Sequence, residues 1–220
     1  MEFKAFKMDG LGNDFVIIDQ REKIIKFSKQ KIVKICDRNF IGCDQLIIIK
    51  KSLFTTYLDE LDFGEIADIG AKLDIGKSVP IFKIRDYLNN IDANLEFYNS
   101  DGSVSGACGN GTRCVAYFLS KERNKNEITF WINGKIIPSK ILGEKLVETK
   151  LSNVATNWYE IPLKKELNTI NLNYKIIDKN NKDHFGGTAV NVGNPHIIFF
   201  VNNIEDFNLE KIGPEIENDK

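Results

Sequence analysis

Hydrophobic and polar positions along the chain follow two periods. Residues 3–8 alternate as a strand does, Gly10-Leu11-Gly12-Asn13 has turn chemistry, and residues 15–18 are an unbroken apolar run suited to a buried strand. The spacing predicts a hairpin. Ser28 followed by Ile32, Val33, Ile35 and Cys36 predicts an N-capped amphipathic helix with Cys36 toward the core. Strands are predicted at 45–49 and 95–98, and a helix over 109–120 opens directly behind Cys108. From residue 127 onward strands dominate. Ile132-Asn133-Gly134-Lys135 carries the Asn-Gly pair favoured at a type I′ turn, and strand-like runs follow at 145–151, 174–178, 188–192 and 197–201. The chain therefore reads as mixed α/β (α+β), weighted toward sheet.

Two features organise this pattern. Between residues 51 and 90, Tyr57, Leu58 and Leu61 have helical spacing, while Asp59, Glu60, Asp62, Glu65, Asp68 and Asp74 outnumber Lys72. That segment reads as an inserted acidic surface lobe. The second feature is internal: Gly12-Asn13-Asp14-Phe15-Val16-Ile17-Ile18 and Gly193-Asn194-Pro195-His196-Ile197-Ile198-Phe199 share one plan, Gly-Asn, two variable residues, then an apolar strand. Two similar lobes are expected, residues 1–122 carrying the inserted segment 51–90 and residues 123–220 forming the second.

Composition narrows the function classes. With 30 Lys and Arg against 31 Asp and Glu, the net charge of −1 offers no basic field for nucleic acid. Apolar stretches such as 197–201 fall far short of the roughly 20 residues that cross a bilayer, and the N-terminus lacks the charged start and apolar block of a secretory signal. A cytoplasmic protein without membrane or nucleic-acid partners is expected. Its four cysteines, Cys36, Cys43, Cys108 and Cys114, are too few for a disulfide scaffold and are expected as free thiols.

The densest chemical signal is Asn99-Ser100-Asp101-Gly102-Ser103 leading into Gly106-Ala107-Cys108-Gly109-Asn110-Gly111-Thr112-Arg113-Cys114, a Gly-rich loop feeding a helix. Backbone N–H groups at such a helix start can hold a carboxylate, and the same field favours a thiolate. Cys108 is thus a candidate nucleophile or proton abstractor, with a structural thiol as the alternative. Neither Gly109-Asn110-Gly111 nor Gly10-Leu11-Gly12 continues as a dinucleotide fingerprint. No C-x-x-C or H-E-x-x-H occurs, and His184 and His196 lack metal-ligand spacing with the cysteines, so no metal is expected. Cys114 and Cys43 read as packing residues.

Met8-Asp9-Gly10-Leu11-Gly12-Asn13-Asp14-Phe15, Gly42-Cys43-Asp44-Gln45, Asn99-Ser100-Asp101-Gly102-Ser103, Ala107-Cys108-Gly109-Asn110-Gly111-Thr112-Arg113-Cys114 and Gly193-Asn194-Pro195-His196 resemble, in order, the motifs of the diaminopimelate epimerases. The resemblance implies two pseudo-symmetric α/β lobes with substrate between them. It also implies interconversion of LL- and meso-diaminopimelate in lysine biosynthesis by a cofactor-independent isomerase, without pyridoxal phosphate. By the same resemblance Cys108 is one of two catalytic cysteines. Asn13, Gln45, Asn99, Asn110 and Asn194 match substrate-contacting positions, and the Gly109 and Asn110 N–H groups would hold the α-carboxylate. His196 matches a residue that tunes the thiols, although it reads equally as an ordinary strand residue. A small amino acid is the implied partner, and a homodimer is compatible with it.

Inverting a stereocentre through a carbanion needs a base on one face of the Cα and an acid on the other, which one thiol cannot supply. Here the sequence departs from the family pattern. The Asn-x-x-Phe, Glu-Arg-Gly and second Cys-Gly-Thr-Gly blocks of the second lobe do not appear, so that lobe is expected to be incomplete and the chain unable to finish an epimerisation. Segment 51–90 is the other departure, since the family joins the flanking strands by a shorter connection. Four readings follow: an epimerase chain, a non-catalytic remnant or carboxylate-binding module of the same fold, a Cys108–His196 hydrolase, and a related isomerase that shares the fold.

Overall fold

The computed structural model describes residues 3–54, 60–72, 80–106, 108–151 and 154–219. The chain divides into two compact units, Met1–Leu151 and Ser152–Lys220.

In the first unit β1 (Ala5–Gly10) and β2 (Asn13–Asp19) form the predicted hairpin, in register from Ala5–Ile18 to Gly10–Asn13. Its two turn residues, Leu11 and Gly12, both have positive φ, 52° and 89°. This is the type I′ arrangement that glycine adopts freely and leucine only at a cost. Ser28 caps α1 (Lys29–Cys36) by accepting from the Lys31 N–H, and the chain returns through β3 (Gln45–Lys50), parallel to β2. After α2 (Phe63–Lys72) and α3 (Ile81–Asn89) comes β4 (Ala93–Asn99), antiparallel to β3, with the short β5 (Val104–Ser105) folded onto it. The long helix α4 (Gly109–Arg123) ends on Asn124 in the left-handed region, a conformation asparagine tolerates. Strands β6 (Glu127–Ile132), β7 (Lys135–Gly143) and β8 (Leu146–Thr149) complete one sheet of order β1-β2-β3-β4-β6-β7-β8.

Both faces of that sheet are covered. Phe15, Ile17, Ile47, Ile49, Phe97 and Phe130 pack against Val115, Ala116 and Leu119 of α4. Val16, Ile18 and Leu46 point the other way, onto Ile32, Ile35 and Cys36 of α1. Strands buried on both faces show no polar alternation, which is why residues 15–18 and 46–49 read as continuous apolar runs. Each such fully buried side chain contributes about 1.5–3 kcal/mol of transfer free energy.

Segment 51–90 departs from the expected surface lobe. Phe54, Ile66, Ile84, Leu88 and Ile91 form a buried cluster that takes in Trp131 of β6 and Ile136 of β7. The rings of Phe54 and Trp131 meet edge-on, with centroids 4.9 Å apart. Acidic residues on its helices mark only the solvent side of a segment that packs on the sheet. Tyr57, Leu58, Asp59 and Asp74 lie outside the described residues.

The second unit pairs β9 (Tyr174–Ile177) with β10 (Asp183–Gly186) and β11 (Thr188–Asn191) with β12 (Pro195–Ile198), and closes with α5 (Leu209–Glu217), capped by Asn208. Its buried cluster is Ile176, Phe207 and Ile212. Contacts divide the chain at residues 151/152, not at the expected 122/123, because β6 joins β4 in the first sheet and carries β7 and β8 with it. The strand predicted at 197–201 starts earlier, at Pro195, where the turn from Asn191 fixes the register; Phe199 then joins the unit's core and Phe200 is exposed. No helix among the described residues is long and apolar enough to cross a membrane.

Candidate functional site

Helix α4 starts at Gly109 with Cys108 as its N-cap, in extended backbone (φ −132°, ψ 113°) and with no capping hydrogen bond from its side chain. The first-turn N–H groups of a helix have no intrahelical partner and carry the positive end of its dipole, so this end suits an anion and a thiolate. Cys108 is half-buried at the edge of the main core. Helix and sheet come together closely behind it because residue 111 is glycine: a Cβ there would lie 2.7 Å from Ile47 Cδ1 and 3.2 Å from Phe15 Cε1.

The other three thiols are packing residues. Cys36 and Cys43 touch each other, Sγ to Sγ at 3.4 Å, and both are buried. Burial, with the neighbouring sulfur, pushes Cys36 up to about 12. Burial likewise raises Cys43, and it lifts Cys114, which donates to the Asp9 carbonyl at 3.4 Å, to about 11.

Of the five predicted residues of the first unit besides Cys108, four have polar side chains, Asn13, Gln45, Asn99 and Asn110, and they stand where β2 and β3 begin, β4 ends and α4 starts. Asn110 Nδ2 donates to Asn13 Oδ1 at 2.7 Å, joining the start of α4 to the start of β2. Asn13 Nδ2 donates to Asp44 Oδ2 at 3.3 Å, and Arg113 donates to Asn110 Oδ1. One strand over, Gln45 Nε2 donates to Asn99 Oδ1 at 3.0 Å and to Ser105 Oγ at 3.1 Å. Asn99 Nδ2 donates to Ser103 Oγ at 3.1 Å, whose hydroxyl donates to Asp101 Oδ1 at 2.6 Å. Gln45 Oε1 is buried with no hydrogen-bond partner among the described residues. A buried acceptor left in this state suits a ligand donor such as an ammonium group.

Charges behind the amides hold the hairpin. Arg38 forms a fork on Asp14 at 2.5 and 2.8 Å and reaches Asp44 at 2.7 Å, while Lys7 lies 2.7 Å from Asp14. The Arg38 guanidinium, with Lys7 behind it, holds the Asp14 carboxyl well below the usual carboxylate range. Asn133, at the β6–β7 turn, donates to the Gly106 carbonyl and so steadies the loop before Cys108.

Asn194 and His196 belong to the second unit. Gly193 has φ 113°, its N–H donates to Asn191 Oδ1 at 2.9 Å, and the Asn194 carbonyl accepts from the Val192 N–H at 3.2 Å. His196 is exposed in β12, opposite Val190. Both Gly-Asn copies therefore introduce the second strand of an antiparallel hairpin through a glycine at positive φ, which accounts locally for the internal repeat. Sequence reasoning missed Asp44, Arg113, Ser103, Ser105 and Asn133 as parts of the site. The i, i+3 spacing of Asn110 and Arg113 on one helix was the available signal for Arg113. Among the described residues no group of three or more His, Cys, Asp or Glu side chains is gathered to hold a metal ion.

No family model matches the chain. A protein named diaminopimelate epimerase from Pelagibacter ubique (strain HTCC1062) is 54% identical over 218 residues, covering 99% of this chain and 66% of that protein. Proteins of the same name from Acidiphilium cryptum (strain JF-5) and a Wolbachia of Drosophila simulans (strain wRi) are 32% and 31% identical, covering 96% of this chain and 62% and 64% of theirs. The chain thus spans just under two thirds of the length of the curated relatives it matches. Among solved structures, a phenazine biosynthesis protein of the PhzF family from Bacillus anthracis aligns with a TM-score of 0.47 at 13% identity, over 90% of this chain and 55% of that one.

Proposed function

This chain belongs to the diaminopimelate epimerase family, and from that premise we propose that its first unit carries one proton-transferring half of a two-base site acting on diaminopimelate in lysine biosynthesis. Cys108 moves the proton at the substrate Cα, in the cytoplasm and without pyridoxal phosphate. The Gly109 and Asn110 N–H groups receive the α-carboxylate at the helix start, where negative charge developing toward a carbanion is stabilised. Asn13, Asn99 and Gln45 line the same edge, and the unpartnered Gln45 Oε1 suits the substrate ammonium. The family resemblance alone assigns Asn194 to substrate contact and His196 to tuning the thiols.

The observation that carries this reading is an uncapped, half-buried thiol at the N-cap of α4, beside an amide pair that bridges to β2. Among the four thiols of residues 1–220 it alone is placed for chemistry, since Cys36, Cys43 and Cys114 are buried with raised pKa values. One group returns a proton to the face from which it took one.

The test is incubation of the purified chain with LL- and meso-diaminopimelate in deuterated buffer, followed by chiral separation and mass analysis. Deuterium uptake with retained configuration, abolished by Cys108→Ala, is expected. Deuterated product of inverted configuration would mean that another residue serves the second face. Binding of diaminopimelate without any exchange would favour the second reading, a carboxylate-binding module.

A further inference from the structure

We propose that Asp44, Asp101 and Arg113 are positioning residues that fix which way round the four side-chain amides of the site face. The proposal rests on the reading above, that Asn13, Gln45, Asn99 and Asn110 meet the substrate.

A primary amide is nearly symmetric in shape but opposite in chemistry at its two ends, so an unanchored Asn or Gln can present either donor or acceptor. An ionised carboxylate only accepts and a guanidinium only donates. Asp44 therefore obliges Asn13 to turn Nδ2 toward it, at 3.3 Å, which leaves Asn13 Oδ1 facing Asn110. Asn110 must then offer Nδ2, at 2.7 Å, and turn its Oδ1 toward Arg113, which donates to it. The run is closed at both ends by groups that cannot reverse their role.

The second run is anchored in the same way, but at one end. Asp101 Oδ1 accepts the Ser103 N–H at 2.8 Å and the Ser103 hydroxyl at 2.6 Å. With its proton committed, Ser103 Oγ must accept, so Asn99 offers Nδ2 at 3.1 Å and turns Oδ1 toward Gln45. Gln45 answers with Nε2 at 3.0 Å, and its Oε1 is the buried atom left over. Two carboxylates and one guanidinium thus determine the donor and acceptor pattern the site shows to a ligand.

Asp44→Asn and Asp101→Asn keep size but can donate as well as accept, so either run could reverse. Binding of diaminopimelate, measured by calorimetry, is expected to weaken by about tenfold in each variant, the effect of one mispaired polar contact. Arg113→Met is expected to do the same, and Arg113→Lys, which restores a donor, to recover most of the loss. Arg21→Met serves as control: it removes the ion pairs to Asp19 and Glu122, which belong to neither run, and should lower the unfolding midpoint without weakening binding.

A ligand-free measurement separates the two levels of the argument. Side-chain amide signals of Asn13 and Asn110 in a ¹⁵N-labelled protein are expected as one set in the parent chain and two sets in Asp44→Asn. If Asn13→Ala and Gln45→Ala leave diaminopimelate binding unchanged, the site reading fails. If those variants weaken binding while Asp44→Asn, Asp101→Asn and Arg113→Met do not, and the amide signals stay single, the positioning role is overturned. If Asp44→Asn fails to fold, the Arg113→Met and Arg113→Lys pair decides.

Discussion

The backbone carbonyl of Cys108 takes two hydrogen bonds from Thr112, one from its N–H at 2.8 Å and one from its Oγ1 at 2.9 Å. The second bond doubles the hold on the residue that bears the thiol, from a threonine buried beneath it. Thr112→Val keeps the shape and removes the hydroxyl. A stability loss of about 0.5–1.5 kcal/mol in urea is expected, with the helix still starting at Gly109 because the main-chain bond persists. A loss above about 3 kcal/mol would show that the hydroxyl has a larger part than this one bond.

Alkylation should find Cys108 first. With Cys36 at about 12 and Cys114 at about 11, only about one in 10,000 and one in 1,000 of these groups is thiolate at a pH near 8, and burial shields them further. Mass mapping of iodoacetamide adducts over a pH series checks the order. Labelling of Cys36 or Cys114 ahead of Cys108 would contradict the placement of the thiols.

Gly111→Ala sets a methyl group against Ile47, Phe97 and Phe15, at 2.7, 3.0 and 3.2 Å. Overpacking of this kind costs about 1–3 kcal/mol. Because the displaced helix carries Cys108 and Asn110, the diaminopimelate exchange proposed for this chain should fall along with the unfolding midpoint. A variant as stable as the parent would mean that α4 can lift from the sheet at little cost.

Stability should weaken on the acid side through Asp14. A carboxyl held below its ordinary value of 3.8 in the folded chain stabilises that state at every pH above 3.8, and the contribution is lost as pH falls through the lowered folded value. Asp14→Asn should therefore flatten the dependence of unfolding free energy on pH below about 4. An unchanged acid limb would place the acid sensitivity elsewhere.

Leu88→Ala is expected to destabilise the first unit by about 2–5 kcal/mol, as deletion of a fully buried leucine does. The result distinguishes a segment packed on the sheet from a detached surface addition, for which the loss would not reach the unfolding transition of the sheet. Circular dichroism during urea denaturation reads it directly.

Local signals made much of this fold legible. The turn at Leu11-Gly12, the Asn133-Gly134 turn with both residues at positive φ, the Ser28 cap and the glycines before α4 each act over a few positions, and each appears where its chemistry places it. Helix α5 was missed because Gly213 and Pro214 argue against a helix locally, whereas the Asn208 cap and burial of Ile212 support one. Strand β10, four residues long, leaves too short a pattern to read. In the site, residue types and motifs pointed to Cys108, Asn13 and Asn110. The bond joining the two asparagines has no local trace, and neither has the carboxylate that orients them.

That bond spans 97 positions, and closing so long a loop comes only after nearby contacts have formed. During synthesis at 5–20 residues per second, the β1–β2 hairpin waits roughly 5–20 s for the start of α4. Until then Phe15 and Ile17 have no helix to cover them. The Asn13–Asn110 part of the site is accordingly a report on completed assembly of the first unit, and a nascent chain interrupted before residue 110 lacks it.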